Sequence, residues 1–408
     1  MPHSYVIIGG GAAGDAAIEG IRAHDREGGI LLLSRDNHAP YRRTLLSRDL
    51  WSVADTANQL SLHDDSYYKE RGVELLLRRD VVEVEPESHT VWDERGNAHR
   101  YGKLLLATGV RPRVLDVAGA EHPELHYFRS LEDFLMLRQR LRQIQHVFVI
   151  GANFLALELA AALRHQGFEV TLLIDGDYPL QDCLPRDLGA VVIDRCREIG
   201  LDLISNEQIV SVEDPGGRLV ARTRSGNYIV TQTAVVVLGN EPNIELAEAA
   251  GLEVDLGIAV DQFARTSSSD IYAAGDVAEF PYLALGRPMR VEYWDHAVCH
   301  GHHAGENMAG ANKPYEHIPM FAGRLFDVAF EAVGDIDSTF ETHAAWVNPG
   351  TEGVIFYLND EIVRGVLMWN LVGRADWARA LIRERRPTTH EDREARVMEM
   401  AGGAMRAS

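Results

Sequence analysis

Residues 5–14, YVIIGGGAAG, run an apolar strand straight into Gly9, Gly11 and Gly14 and then into a helix-forming stretch. No other feature of the chain restricts its fold as strongly. In such a strand–turn–helix the first glycine permits the tight turn and the second lets backbone approach a pyrophosphate. The third lets the helix pack on the strand. The free amide groups at the helix start then favour an anion, with Ala12 and Ala13 in the opening turn. An acidic residue should follow the next strand to hold ribose hydroxyls. Asp36 fits in ILLLSRD, with Arg35 beside it.

The same grammar returns at VFVIGANFLALELA, residues 147–160, but with its glycines half replaced. Gly151 supplies the turn, and Phe154 and Leu155 open the helix. Asn153 stands at the second glycine, where it tolerates positive φ but takes space a pyrophosphate would use. Ala156 replaces the third glycine at little cost. Asp175 follows the next strand, one place beyond the usual acidic slot, with no arginine immediately beside it to welcome a 2′-phosphate. Nucleotide binding is expected to be retained in altered form, with NADH favoured over NADPH; loss of the site is the alternative.

Two apolar strands ending in glycine, KLLLATG at 103–109 and AVVVLGN at 234–240, complete the pattern. Near-continuous apolar strands suit a parallel sheet covered on both faces. From about Pro319 the pattern alternates instead: FDVAFEAVG, EGVIFYLND and EIVRGVLMW read as antiparallel strands, followed by a helix at ADWARALIRER. The expected fold is α/β, with two Rossmann-like dinucleotide-binding domains and an α+β C-terminal domain built on an antiparallel sheet. The first domain is expected to be discontinuous, over 1–113 and 241–318. The second spans 114–240 and the C-terminal domain 319–390, leaving a mobile tail at 391–408.

At 408 residues the chain is long enough for several domains, and 46% hydrophobic with 25% charged residues is ordinary for a globular protein. The net charge of −21 argues against nucleic acid or an anionic membrane as a general partner. No apolar run approaches the ~20 residues of a membrane span. MPHSYVIIGG lacks a basic segment followed by a long apolar one, so a cytoplasmic protein is expected. The cysteines are Cys183, Cys196 and Cys299, without a C-x-x-C or C-x4-C pair, which excludes a redox-active dithiol. No metal is expected. HGHH at 300–303 is the only histidine cluster, and on a helix its side chains point in different directions.

RTSSSDIYAAGD at 265–276 and the A-T-G strand at Ala107, Thr108 and Gly109 resemble the FAD-dependent pyridine-nucleotide oxidoreductases. PYRRTLLSRDLW, FRSLED, RVEYWDHAV, AGENMAG and VLMWN narrow the resemblance to apoptosis-inducing factor and the ferredoxin or rubredoxin reductases. The resemblance spans almost the whole chain. It implies Gly275 and Asp276 at the flavin ribityl chain, Arg43 and Arg129 on FAD, and Val82 near the adenine. It sets Tyr293 and Trp294 beside the flavin. Arg48 stands where the family has lysine, with Glu158 as its partner, and an Arg48–Glu158 ion pair is expected. Glu292, Glu331 and Asn370 match nicotinamide-side positions of the apoptosis-factor branch, and Gly239 lies in VVVLGNEPN, which resembles the segment that closes the NAD domain.

One departure is FAGR, Phe321–Arg324, in place of F-W-S-D: Ala322 leaves a gap that opens a pocket or is filled by another residue. The resemblance implies an FAD enzyme that takes hydride from NADH and passes electrons to a small iron–sulfur protein, rubredoxin, quinone or oxygen. The alternative is a redox sensor that holds a long-lived NADH-reduced flavin and changes oligomeric state. The C-terminal domain offers a surface for a homodimer.

Overall fold

The computed structural model describes residues 3–52 and 60–404. The chain forms two compact units, one of residues 1–42, 55–111 and 241–319, the other of residues 43–54, 112–240 and 320–408.

The first unit is centred on a seven-stranded sheet. Its order is Val73–Leu77, Ile30–Ser34, His3–Ile8, Ala98–Leu106, Thr90–Asp93 and Val81–Glu85, with Ile271–Ala273 also paired to Ala98–Leu106. Neighbours on either side of His3–Ile8 run parallel to it. This explains the unbroken apolar runs: Val6, Leu31, Leu104 and Leu106 face one buried cluster, while Ile7, Leu32 and Leu105 face another. The helix Ala12–His24 packs against Trp294–Met308 at backbone distance. A Cβ on Gly301 would lie 2.1 Å from the Ala13 carbonyl oxygen, and one on Gly305 2.2 Å from that of Ala17. Only glycine permits this approach.

HGHH falls on that second helix. Its His300 is fully buried, as is His296 one turn earlier, and the Phe280 ring centroid lies 5.4 and 4.6 Å from theirs. Burial lowers His296 to about 3 and His300 well below its ordinary value, so both are neutral packing residues.

The second unit holds a five-stranded parallel sheet in the order Asp202–Ile204, Glu169–Leu173, His146–Ile150, Ala234–Val236 and Leu125–Tyr127. Beside it in sequence, Ile209–Glu213, Leu219–Thr223 and Tyr228–Thr231 form an antiparallel sheet. The alternating C-terminal segments form a five-stranded antiparallel sheet, ordered Met320–Leu325, Val328–Gly334, Ile362–Trp369, Glu352–Asn359 and Glu341–Asn348.

The expected mobile tail is instead a helix, His390–Ala404. Thr389 and Asp392 exchange side-chain-to-backbone hydrogen bonds of 3.1 Å, a capping box. Arg393 and Val397 are buried, and the Arg393 guanidinium donates to Glu361 Oε2 at 2.7 Å and to the Thr388 carbonyl at 2.7 Å. The small and charged composition concealed a short amphipathic seam.

Candidate functional site

The two glycine turns have the same backbone plan and different chemistry. Gly9 has φ +117°, and a Cβ there would lie 2.1 Å from the Ala107 carbonyl oxygen. A Cβ on Gly14 would lie 2.0 Å from the Gly9 carbonyl, so helix Ala12–His24 sits directly on the turn. Gly11 is the N-cap, and no side chain caps it. Within 4 Å of where its Cβ would stand there is nothing. The result is an uncapped helix start facing open space, which suits a pyrophosphate. Asp36 follows the next strand, half-buried, accepting from the His38 amide at 3.0 Å and from the Tyr41 hydroxyl at 3.4 Å, while Arg35 is exposed.

The A-T-G strand end is held by Asn243. Thr108 Oγ1 donates to the Asn243 carbonyl at 2.8 Å, and Asn243 Nδ2 returns a bond of 2.8 Å to the Thr108 carbonyl. Gly109, at φ +64°, carries the chain out of the strand with open space around it. Gly275 has φ +78°, and a Cβ there would meet Ala13 Cβ at 2.7 Å. The half-buried Asp276 is therefore set beside the first turn of helix Ala12–His24. Arg290 Nη1 joins the Asp276 carbonyl at 3.0 Å to Glu292 Oε1 at 2.7 Å. Tyr293 is the N-cap and Trp294 the half-buried first residue of the long helix. Val82 is exposed on Val81–Glu85.

In the second unit Gly151 has φ +148°, and a Cβ there would lie 2.2 Å from the Val237 carbonyl oxygen. The expectation for Asn153 needs correction. Its φ is −89°, so no left-handed backbone is called for. Its side chain turns back on the protein: Oδ1 accepts from the Ala156 amide at 3.0 Å, and Nδ2 donates to the Val237 carbonyl at 2.9 Å. Asn153 thus caps its own helix and ties it to the next strand. Ala156 is fully buried, with its Cβ 3.3 Å from a Cβ on Gly151.

Phe154 packs on the C-terminal sheet, with its ring centroid 4.9 Å from that of Phe330 and 5.0 Å from that of Phe321. Leu155 is half-buried, and Gly239, at φ +92°, has open space around it. Asp175 is exposed after its strand; two residues on, Asp177 pairs with the exposed Arg186 at 2.7 Å.

Arg48 and Glu158 form the expected ion pair, with Arg48 Nη2 and Nε 2.7 and 3.0 Å from Glu158 Oε1. The second carboxylate oxygen accepts from Ser47 Oγ at 2.8 Å, a partner not foreseen from the sequence. Arg48 also donates to the Ala322 carbonyl at 3.2 Å, and a Cβ on Gly323 would come within 3.1 Å of Arg48 Nη2. The small residues of FAGR thus leave room for a planar guanidinium. Arg43 Nη1 donates to the Arg129 carbonyl at 2.8 Å. Glu331 accepts from the Gly373 and Arg374 amides at 2.7 and 3.0 Å, capping the approach to helix Ala375–Arg383. Asn370 bridges the Ala329 amide and the Thr351 carbonyl at 2.9 and 2.8 Å. Both side chains therefore have structural work in the C-terminal sheet. All three cysteines are free. Burial raises Cys183 and Cys196 to about 12.

Among the described residues, no helix is long and apolar enough to cross a membrane. Residues 3–301 match the pyridine nucleotide-disulphide oxidoreductase family, and residues 304–352 and 348–384 match the mitochondrion-associated C-terminal region of apoptosis-inducing factor. The chain is 32% identical over 418 residues to apoptosis-inducing factor 1, mitochondrial, of Dictyostelium discoideum, covering 94% of this chain and 78% of that one. It is 29% identical over 368 residues to the ferredoxin–NAD(+) reductase component of 3-phenylpropionate/cinnamic acid dioxygenase of Photorhabdus laumondii, covering 90% and 93%. Among solved structures it is similar to a ferredoxin reductase from Rhodopseudomonas palustris, with TM-score 0.91, 28% identity and coverage of 98% and 99%. Putidaredoxin reductase, in covalent complex with putidaredoxin, gives TM-score 0.90, 26% identity and coverage of 100% and 99%. With two strand–glycine–helix turns built as described and a family match running from residue 3 to residue 301, the chain belongs to the pyridine nucleotide-disulphide oxidoreductase family.

Proposed function

We propose that this chain is an FAD enzyme that oxidises NADH and delivers electrons to a small iron–sulfur or rubredoxin-type carrier. The observation that supports it most is the uncapped helix start at Gly11, open on the side where a pyrophosphate would lie. FAD, when bound, supplies hydride acceptance and one-electron donation. The residues of the first unit do the holding. The amides after Gly11 would face the phosphates, Asp36 would receive the ribose hydroxyls, and Gly275 would let Asp276 approach the ribityl chain.

Arg48 is the residue that the resemblance gives the task of favouring negative charge on reduced flavin. Its guanidinium is oriented by Glu158, itself fixed by Ser47. A nicotinamide nucleotide is assigned to the Gly151 turn, with Asp175 at its ribose and NADH preferred. Disulfide reduction through a protein dithiol is not part of the reading, since the cysteines are far apart in sequence and two are held as thiols.

The second reading, a redox sensor with slow turnover, is favoured by Asn153, whose side chain takes the Ala156 amide that a phosphate could use. Stopped-flow reduction of the purified yellow protein by NADH, then by NADPH, followed by an added carrier protein, separates the two. Rapid bleaching and rapid reoxidation are expected. A colourless protein that takes up no FAD would remove both readings, and a reduced flavin that persists with every carrier would leave the sensor.

A further inference from the structure

Helix Trp294–Met308 carries Asp295 and Cys299 four residues apart, hence on one face. The segment after the helix returns His317 to that face, where its Nε2 lies 2.6 Å from Asp295 Oδ2. A carboxylate oxygen, the thiol sulfur and an imidazole nitrogen all lie within 4.8 Å of one another, and all three residues are half-buried. We propose that Asp295, Cys299 and His317 form a binding site for zinc or a similar thiophilic divalent cation, with water in the fourth position.

The donor set is of the borderline-soft type that selects zinc over magnesium or calcium. Metal bonds of about 2.0–2.3 Å would set the donors roughly 3.3–3.8 Å apart, so the atoms need to move by an ångström or less. On binding, the thiol proton and the proton shared by Asp295 and His317 leave for solvent. The metal bonds replace them, with no change of oxidation state. The bound ion would clamp the segment carrying His317 onto the helix.

A second cluster, His343, His390 and Glu394, serves as the contrast. There Arg393 Nε donates to His343 Nδ1 at 3.0 Å, and the guanidinium is fixed by Glu361 and Thr388. That cation opposes a metal ion, and its hydrogen bond places the imidazole proton on Nε2.

The test is zinc titration of the purified flavin-loaded protein, with retained metal counted after dialysis and melting followed with and without zinc. One equivalent should be retained, and melting should rise with zinc. C299S and H317Q should each weaken binding at least ~10-fold and abolish the rise, while H390Q changes neither. Cobalt substitution of the parent protein gives a reading independent of variant folding: tetrahedral visible bands beyond the flavin absorption are expected. Unchanged zinc binding in C299S and H317Q, loss of binding in H390Q, or a parent protein that retains no metal and shows no cobalt bands would each overturn the site.

Discussion

Helix Ala12–His24 and helix Phe154–His165 begin from the same turn and end their first turns in opposite conditions. At the first, Gly11 offers neither side chain nor cap, and the space before it is open. At the second, Asn153 supplies the cap from within the chain. An uncapped helix start costs about 1 kcal/mol that a ligand must recover, whereas a capped one is already satisfied. On the proposed function, the first turn suits a resident anion and the second a nucleotide that comes and goes. The position after the third glycine differs too: Asp15 is buried with Tyr68 and His63 as polar partners, and Leu157 is a buried apolar residue.

The largest effect should come from Gly9→Ala and Gly151→Ala. Each places a Cβ about 2 Å from a carbonyl oxygen at positive φ, for a cost on the order of 3–5 kcal/mol. If the two turns divide the work as proposed, G9A protein that survives purification is colourless. G151A should keep its flavin and lose reduction by NADH. The reverse pattern would break the comparison.

Next is Gly11→Val. Its backbone conformation suits any residue and nothing lies within 4 Å of the added Cβ, so melting of the flavin-free protein should move little. Flavin affinity should fall at least ~10-fold, about 1.4 kcal/mol. Unchanged affinity, measured by fluorescence titration, would show that the open space is not the ligand's.

Asn153→Gly sharpens the contrast from the other side. It removes the cap, at a cost of a few tenths to ~1 kcal/mol in stability, and frees the Ala156 amide. The KM for NADH should drop while flavin content stays constant. A raised KM would mean that Asn153 itself contacts the nucleotide.

The smallest effect concerns Asp15. Burial raises its carboxyl above the ordinary value, against the opposing pull of His63 and Tyr68. The folded state then binds the proton more tightly than the unfolded one, so this group's contribution declines as pH rises from 3.8 through its folded pKa. The melting difference between D15N and the parent should therefore shift in favour of D15N as pH rises over that range. A flat difference would contradict it.

The first glycine turn was legible because only glycine meets its demands. Positive φ at Gly9 and contact distances near 2 Å at Gly9 and Gly14 leave no other choice of residue. The parallel strands were legible from unbroken apolar runs. The Arg48–Glu158 pair followed from resemblance, while Ser47 and Asn243, which fix its carboxylate and the A-T-G strand end, went unread. Serine and asparagine are common in loops, and nothing in their spacing marks a partner more than a hundred residues away. The C-terminal helix was missed although Thr389-x-x-Asp392 is a capping signal, because its buried side is only a few residues wide.

By itself the sequence determined what backbone sterics dictate: where the chain must turn without a side chain, which strands are covered on both faces, and which residues can cradle a phosphate. The tertiary structure decided which polar groups meet. Asn153 could have faced a ligand or its own helix; it caps the helix, and the fold brings the Val237 carbonyl to its amide nitrogen. Asp295 and Cys299 share a helix face by spacing, but the chain's return brings His317 to them. Steric demands are local and written residue by residue, whereas a hydrogen bond or a metal site needs a partner whose position the whole fold must supply.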